Sequence, residues 1–100
     1  MSIKYIAGIC EWFDKSASNT YFSVALTSCR TGKVMFRIPL KYGYGDHARR
    51  ETLRVMAQNK ILPVKYRNDT WLYERENDYP IYWVTKEVLK SAALAHGGPE

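Results

Sequence analysis

A glycine-containing stretch in the middle of the chain, residues 41–47, most constrains the fold because it separates two segments of different periodicity. The residues before it alternate between apolar and polar, which is typical of strands, and those after it repeat apolar residues at helical spacing. Gly43 and Gly45 permit backbone angles with positive φ. Asp46 is a residue type that accepts hydrogen bonds from free amides at a helix start, so we predict that it caps the helix that follows.

The length and composition favour one domain. A chain of 100 residues that is 46% hydrophobic can form one core, and we predict a single compact domain over residues 1–96 with a flexible tail over residues 97–100. No apolar run is long enough to span a bilayer, and the start of the chain lacks the apolar core of a signal peptide. We therefore expect a cytoplasmic protein with no membrane partner.

Cysteine and histidine are sparse. Cys10 and Cys29 are too few for a disulfide scaffold, and His47 and His96 show no zinc-ligand spacing with them. The carboxylates also lack the spacing of a metal site. We expect neither a metal nor another cofactor.

The positive charge is concentrated in the middle of the chain, which has a net charge of +5 overall. Residues 30–67 contain ten basic and two acidic residues, a net charge of +8, whereas the rest contains five basic and eight acidic residues, a net charge of −3. This asymmetry indicates a positive surface that could meet a polyanion or an acidic protein. A solvated surface with ordinary charge scatter explains it equally well.

The first 42 residues predict a three-stranded antiparallel meander. Residues 3–14 and 19–29 form a hairpin in which Asp14 pairs with Asn19, and this register collects the apolar side chains on one face, with Glu11 as the single misfit. A three-residue loop that ends in a left-handed Gly32 leads into the third strand. The pairs predicted for this second hairpin are Leu26 with Phe36, Val24 with Ile38, Phe22 with Leu40 and Ser28 with Val34.

The opposite face of the meander combines aromatic and basic residues. The register predicts two rows there: Trp12, Tyr21 and Lys41 in one, and Gly8, Ala25 and Arg37 in the other. Unpaired bases could stack on the aromatic pair while Lys33, Arg37 and Lys41 neutralise phosphates. The same face could instead be a protein interface, or the C-terminal elements could cover it.

The second half predicts a helix over residues 47–60, with one face on the sheet and with Arg50, Arg54 and Gln58 toward solvent. Residues 70–76 and 81–84 read as two further strands, and Thr85 could cap a final helix over residues 86–95 that turns Val88, Leu89 and Ala92 inward. The predicted class is α+β: a three-stranded antiparallel meander with a packed helix, followed by a second β-hairpin and a short C-terminal helix.

No catalytic signature is specific, and we expect a protein that is not an enzyme. Asp46 and His47 are adjacent at a helix start, where neighbouring side chains rarely point at one another, and no motif marks a nucleophile. The helix start could receive a phosphate, with added charge from Lys41, Arg49 and Arg50. Asp46 would repel that anion, so a structural role explains the glycine stretch better.

Three motifs resemble small hypothetical proteins encoded in tailed-phage and prophage genomes: Glu11-Trp12-Phe13-Asp14, Asn19-Thr20-Tyr21-Phe22-Ser23 and Tyr42-Gly43-Tyr44-Gly45-Asp46-His47. The resemblance covers about the first half of the chain and implies a small accessory protein of a phage or mobile element. In that setting small proteins often inhibit a host factor, as anti-CRISPR proteins do, or handle nucleic acid. Residues 34–62 are also similar to the end of a double-stranded-RNA-binding domain, although that family begins with a helix and this chain with strands.

We therefore expect a binding protein, with two alternatives for its partner. In the first, a basic surface binds nucleic acid; in the second, the protein inhibits a host protein or anti-phage defence factor. The residues predicted to contact either partner are Trp12, Tyr21, Lys33, Arg37, Lys41, Arg49, Arg50 and Arg54. Acidic residues between 69 and 78 could pair with the basic half of a second copy and so favour a homodimer.

Overall fold

A four-stranded sheet forms the centre of the structure, a computed structural model that describes residues 3–98. In chain order the elements are β1 (Tyr5–Asp14), β2 (Asn19–Ser28), β3 (Val34–Tyr42), α1 (Asp46–Gln58), a 3₁₀ turn (Val64–Tyr66), α2 (Thr70–Glu76), β4 (Ile81–Glu87) and α3 (Lys90–Gly97). The strand order is β3-β2-β1-β4. The predicted α+β class, with an antiparallel meander, a helix packed on it and a C-terminal helix, is confirmed.

The first hairpin has the predicted register. Asp14 lies opposite Asn19, and Ile9 lies opposite Val24. Because side chains alternate along a strand, this pairing collects the apolar residues of β1 and β2 on one side of the sheet, which we call the core face. Glu11 shares the core face, as predicted, and the other side is called the outer face.

The second hairpin follows the prediction only in its middle, where Leu26 lies opposite Phe36 and Val24 opposite Ile38. Irregularities in the ladder shift the register at both ends, so the predicted partners Leu40 and Ser28 are wrong. The pairs found instead are Phe22 with Lys41, Tyr21 with Tyr42 and Thr27 with Val34.

The shift near the end of β3 changes the position of a predicted site residue. A one-residue slip moves a side chain to the other face of a sheet. Lys41 therefore lies on the core-face side, opposite Phe22, and the prediction that it shares the outer row with Trp12 and Tyr21 is wrong. Tyr42 takes its place in that row.

Helix α1 begins at Asp46, one residue earlier than predicted. Its N-cap is Gly45, with φ of 57°, and no side chain caps the helix start, so the predicted capping role of Asp46 is wrong. Asp46 lies in the first turn instead. A carboxylate there interacts favourably with the positive end of the helix dipole.

The hydrophobic core lies between the core face and α1. Leu53 and Met56 are fully buried against strand residues that include Leu26. The buried residues of α1 recur at the spacing of one helix face, as predicted: Ala48, Thr52, Leu53 and Met56. Beyond α1 the chain closes the end of the core with Tyr66 and Tyr73, whose ring centroids are 5.3 Å apart.

The segment predicted as a fourth strand is the helix α2, and this part of the prediction is wrong. Its Thr, Trp and Tyr residues have high strand propensity. However, Asp69 caps a helix here, because its side chain accepts a hydrogen bond of 3.0 Å from the Leu72 amide. The predicted second β-hairpin therefore does not form.

Strand β4 instead extends the sheet beside β1. The two strands are parallel, with Tyr5 opposite Ile81 and Glu11 opposite Glu87. Parallel neighbours need a crossover connection. The segment from α1 through α2 supplies that crossover.

Helix α3 covers part of the outer face. It starts at Lys90 and not at 86, because Thr85 belongs to β4, and its inward residues are Ala93 and Gly97 instead of the predicted Val88, Leu89 and Ala92. The helix extends to Gly97, one residue past the predicted domain end. Within residues 3–98 no helix is long and apolar enough to cross a membrane.

Candidate nucleic-acid interface

Three aromatic rings lie side by side on the outer face. Trp12 and Tyr21 stack with their ring centroids 5.3 Å apart, and Tyr21 meets Tyr42 edge to face at 5.9 Å. The ammonium of Lys90, at the start of α3, lies 5.2 Å from the centroid of the Trp12 ring. The row therefore borders α3, and Trp12 already makes a cation-π contact within the chain.

The three cations predicted beside this row lie elsewhere or hold other groups. Arg37 is on the outer face, but its Nη1 donates to the His96 carbonyl oxygen of α3 at 2.6 Å. Lys41 Nζ donates to a carboxylate of α1 on the opposite side of the sheet. Lys33 precedes β3, at the end of that strand farthest from Tyr42. The three predicted cations therefore do not gather beside the aromatic row, and the cation that adjoins Trp12 is Lys90.

A different basic surface runs along the solvent side of α1. Two adjoining hollows of about 310 and 360 Å³ lie between α1 and the loop after the 3₁₀ turn, and Asn68 lines both. The polar residues that line them are His47, Arg50, Glu51, Arg54, Gln58, Arg67 and Asn68. We call this surface the α1 basic cleft, because among residues 3–98 its lining includes three guanidinium groups, those of Arg50, Arg54 and Arg67, and one carboxylate, that of Glu51.

That carboxylate, Glu51, is paired with two cations. It accepts hydrogen bonds from Lys41 Nζ at 3.0 Å and from Arg54 Nε at 2.6 Å, with Arg54 Nη2 as a further donor. Burial raises the pKa of Glu51, but the hydrogen bonds from Arg54 and Lys41 outweigh it and hold the pKa below its usual value. The carboxylate is therefore ionised at neutral pH, and together with its two cations it contributes a net positive charge.

The two adjacent arginines of α1 have different surroundings. The Arg49 guanidinium lies 5.1 Å from the ring centroid of Trp83, whose Nε1 donates to Glu74 at 3.2 Å, so Arg49 packs over β4 and does not line the cleft. Arg50 is exposed, and across residues 3–98 it forms no ion pair. Of the predicted site residues, Arg50 and Arg54 are the two that line the cleft.

Arg67 and Asn68, which follow the 3₁₀ turn, were not among the predicted site residues. The basic and polar residues 65–69, which follow Pro63, indicate a surface loop that could lie beside the last turns of α1. Without recognition of α2, however, nothing fixed the direction of that loop. Lys90 was missed for a similar reason, because it was placed inside a longer helix.

The comparisons with known proteins identify no relative: no protein-family model, no curated protein and no solved structure matches the chain. The described residues, 3–98, also contain no group of three or more His, Cys, Asp or Glu residues that could hold a metal ion.

Proposed function

We propose that the protein binds the phosphate backbone of nucleic acid through the α1 basic cleft. The observation that supports this proposal is that Arg50, Arg54 and Arg67 line one cleft. Its only carboxylate within residues 3–98, Glu51, is already neutralised by Lys41 and Arg54. A polyanion that enters the cleft would meet cations without an unpaired anion between them.

The residue types in the cleft suit phosphate. Guanidinium groups donate two parallel hydrogen bonds to phosphate oxygens and are desolvated more easily than an ammonium. The amides of Gln58 and Asn68 and the ring of His47 line the same surface and are further donors for phosphate or sugar oxygens. Contacts to the backbone carry no sequence information directly, so backbone binding by these groups should depend weakly on sequence.

Duplex backbone is a better ligand for this cleft than stacked single-stranded bases. In the described part of the chain, His47 contributes the one aromatic ring that lines the two hollows. The aromatic row of Trp12, Tyr21 and Tyr42 lies on the other side of the sheet. The role is non-enzymatic, and origin from a phage or mobile element stays a prediction from the resemblance of its motifs.

A salt titration tests the proposal. Fluorescence anisotropy should give similar affinities for duplexes of unrelated sequence. The logarithm of the association constant should fall against log salt with a slope of about −2 for phosphate contacts by Arg50 and Arg67, since Glu51 holds Arg54. A slope close to zero, or a strong preference for one sequence, would contradict backbone binding by this cleft.

Charge reversal locates the site. Arg50→Glu and Arg67→Glu should each weaken duplex binding by about tenfold or more, which corresponds to about 1.4 kcal/mol. Lys33→Glu is the matched control, because it reverses an exposed charge outside the cleft. Equal losses in all three variants would mean that overall charge, and not the α1 basic cleft, attracts the nucleic acid.

A further inference from the structure

A second surface of opposite charge lies at one end of the sheet. A groove of about 970 Å³ is bounded by the end of the β1–β2 hairpin, by the glycine loop before α1 and by the connection from β4 to α3. Each boundary contributes a large apolar side chain that solvent reaches: Phe13 is 53% exposed, Tyr44 66% and Leu89 78%. Exposed apolar side chains from three separate elements around one groove mark an interaction surface.

The floor of this groove carries two neighbouring carboxylates. Glu11 and Glu87 lie opposite each other in the parallel ladder of β1 and β4, so their side chains are on the same face. Glu11 Oε2 accepts a hydrogen bond of 3.3 Å from the Gly45 amide. Neither glutamate has an ion-pair partner anywhere in residues 3–98. Like charges placed side by side destabilise a sheet, and a bound cation would relieve that repulsion.

The other charged groups near the groove do not neutralise Glu11 and Glu87. Asp14 adds a third carboxylate, whose pKa is lowered mainly by its hydrogen bond with Ser16. Lys15 also lines the groove but is exposed in the turn after β1. Lys90 lies over the Trp12 ring. The groove therefore keeps an excess of negative charge.

We infer that this groove docks a protein segment in which an arginine or lysine stands next to an apolar or aromatic side chain. The cation lies between Glu11 and Glu87, where it gains two carboxylate partners, and the apolar side chain covers Phe13, Tyr44 and Leu89. The same carboxylates repel a phosphate backbone. This surface therefore serves a different partner from the α1 basic cleft and does not depend on nucleic-acid binding.

The two surfaces lie close together along the chain. Gly45 lines the groove and His47 lines the cleft, on either side of the first residue of α1. A bound protein segment would then be held beside a bound polyanion. The arrangement suits a protein that brings a basic segment of a partner next to nucleic acid.

Selection from a display library of random peptides tests the docking surface with the full chain as bait. We expect the enriched peptides to combine Arg or Lys with an aromatic or aliphatic residue. The enriched peptides, synthesised and measured by isothermal titration, should bind Glu87→Gln and Leu89→Ala about tenfold more weakly than the unmodified protein. Replacing the cation of the peptide by Glu should abolish binding.

Two exposed positions outside the groove give matched controls, Glu76→Gln for the charge and Leu94→Ala for the apolar side chain. Both should leave the peptide affinity unchanged. The inference is overturned if no peptide is enriched, if the enriched peptides lack a cation, or if they bind the groove variants as tightly as the controls. Concentration-dependent dimerisation that Leu89→Ala removes would also overturn it, because the occupant would then be a second copy of this chain.

Discussion

The two faces of the sheet are covered by helices that attach in different ways. On the core face, α1 buries Leu53 and Met56 completely against strand side chains. On the outer face, α3 attaches through small residues and hydrogen bonds: the Ser23 hydroxyl donates to the Ala93 carbonyl oxygen at 2.7 Å, and His96 Nε2 donates to the Gly8 carbonyl oxygen, also at 2.7 Å. The attachment of α1 depends on the apolar area that it buries, whereas the attachment of α3 depends on the close approach of its backbone to the sheet.

This difference follows from the residues that each face offers. The core face provides large side chains that leave room for interdigitation with a helix. Gly8 and Ser23 of the outer face lie beneath α3, and the α3 residues that face the sheet, Ala93 and Gly97, are also small. The backbones therefore come close enough for side chains to reach carbonyl groups. Variants that remove area should therefore harm the α1 side most, and variants that add bulk should harm the α3 side most.

The largest effect is expected for Leu53→Ala on the α1 side. Leu53 is fully buried, and its truncation leaves a cavity that costs about 3 kcal/mol of unfolding free energy. Urea unfolding followed by circular dichroism measures this loss. Leu94→Ala, an exposed position on α3, should change the unfolding free energy by less than about 0.5 kcal/mol. Similar losses in the two variants would contradict the contrast between the helices.

Gly97→Ala should have the next largest effect, on the α3 side. An added Cβ would come within 2.8 Å of the Ile38 carbonyl oxygen and 2.9 Å of Pro39 Cα, which are backbone atoms that cannot move aside. We expect a loss of about 1–3 kcal/mol, together with faster hydrogen exchange in α3.

Gly8→Ala provides the matched control for that variant. Its Cβ would lie 3.5 Å from the His96 ring, an ordinary contact. We expect a much smaller change in unfolding free energy, because a glycine inside a strand is itself unfavourable. A larger loss for Gly8→Ala than for Gly97→Ala would show that α3 is not held by close approach at its C-terminal end.

A smaller effect is expected for Ser23→Ala, which removes a hydrogen bond without adding bulk. Ser23 is fully buried, and its hydroxyl donates to the Ala93 carbonyl oxygen. The loss should be about 1 kcal/mol, the net contribution of a typical hydrogen bond. Ser23→Thr would separate the two terms, since it keeps the donor but adds a methyl group. An unchanged unfolding free energy for Ser23→Ala would exclude this bond as an attachment of α3.

The register of the first hairpin and the buried face of α1 could be predicted from hydrophobic periodicity. Apolar residues alternate with polar ones in a half-buried strand and recur at helical spacing in an amphipathic helix. The register shift that moves Lys41 to the other face could not be predicted, because no particular residue type marks an irregularity in a strand ladder. For α2, one hydrogen bond from Asp69 outweighs strand propensity. For α3, no side chain caps the start, so no residue type marks it.

The candidate site was predictable to a similar extent. Helical spacing alone indicates that Arg50 is exposed on α1. The contact of Arg54 with Glu51 has the i,i+3 spacing of one helix face, whereas the contact of Lys41 with Glu51 depends on the irregular end of β3 and the position of Arg67 depends on the 3₁₀ turn after α1. Contacts within one element were therefore accessible from the sequence, whereas contacts between elements required the register and the path of the crossover.

The smallest expected effect on stability concerns Glu51, the polar attachment of the α1 side. Its pKa is lowered in the folded protein, so its contribution is present above its ordinary value of 4.5 and is lost as the pH falls through the folded-state pKa. Glu51→Gln should cost less than about 1 kcal/mol at pH 7, because its partners are partly exposed, and the difference from the unmodified protein should shrink in urea unfolding at acidic pH.

The same variant should change nucleic-acid binding in the opposite direction. Glu51→Gln removes the carboxylate that the described residues place in the α1 basic cleft and releases Lys41 and Arg54, so we expect tighter duplex binding and a steeper salt dependence. Arg50→Gln is the control with the reverse pattern. Because Arg50 forms no ion pair in residues 3–98, its replacement should leave the unfolding free energy unchanged and weaken duplex binding. If Glu51→Gln lowered both the duplex affinity and the unfolding free energy, Glu51 would hold the cationic side chains in position for binding, and its charge would not be what weakens binding of the polyanion.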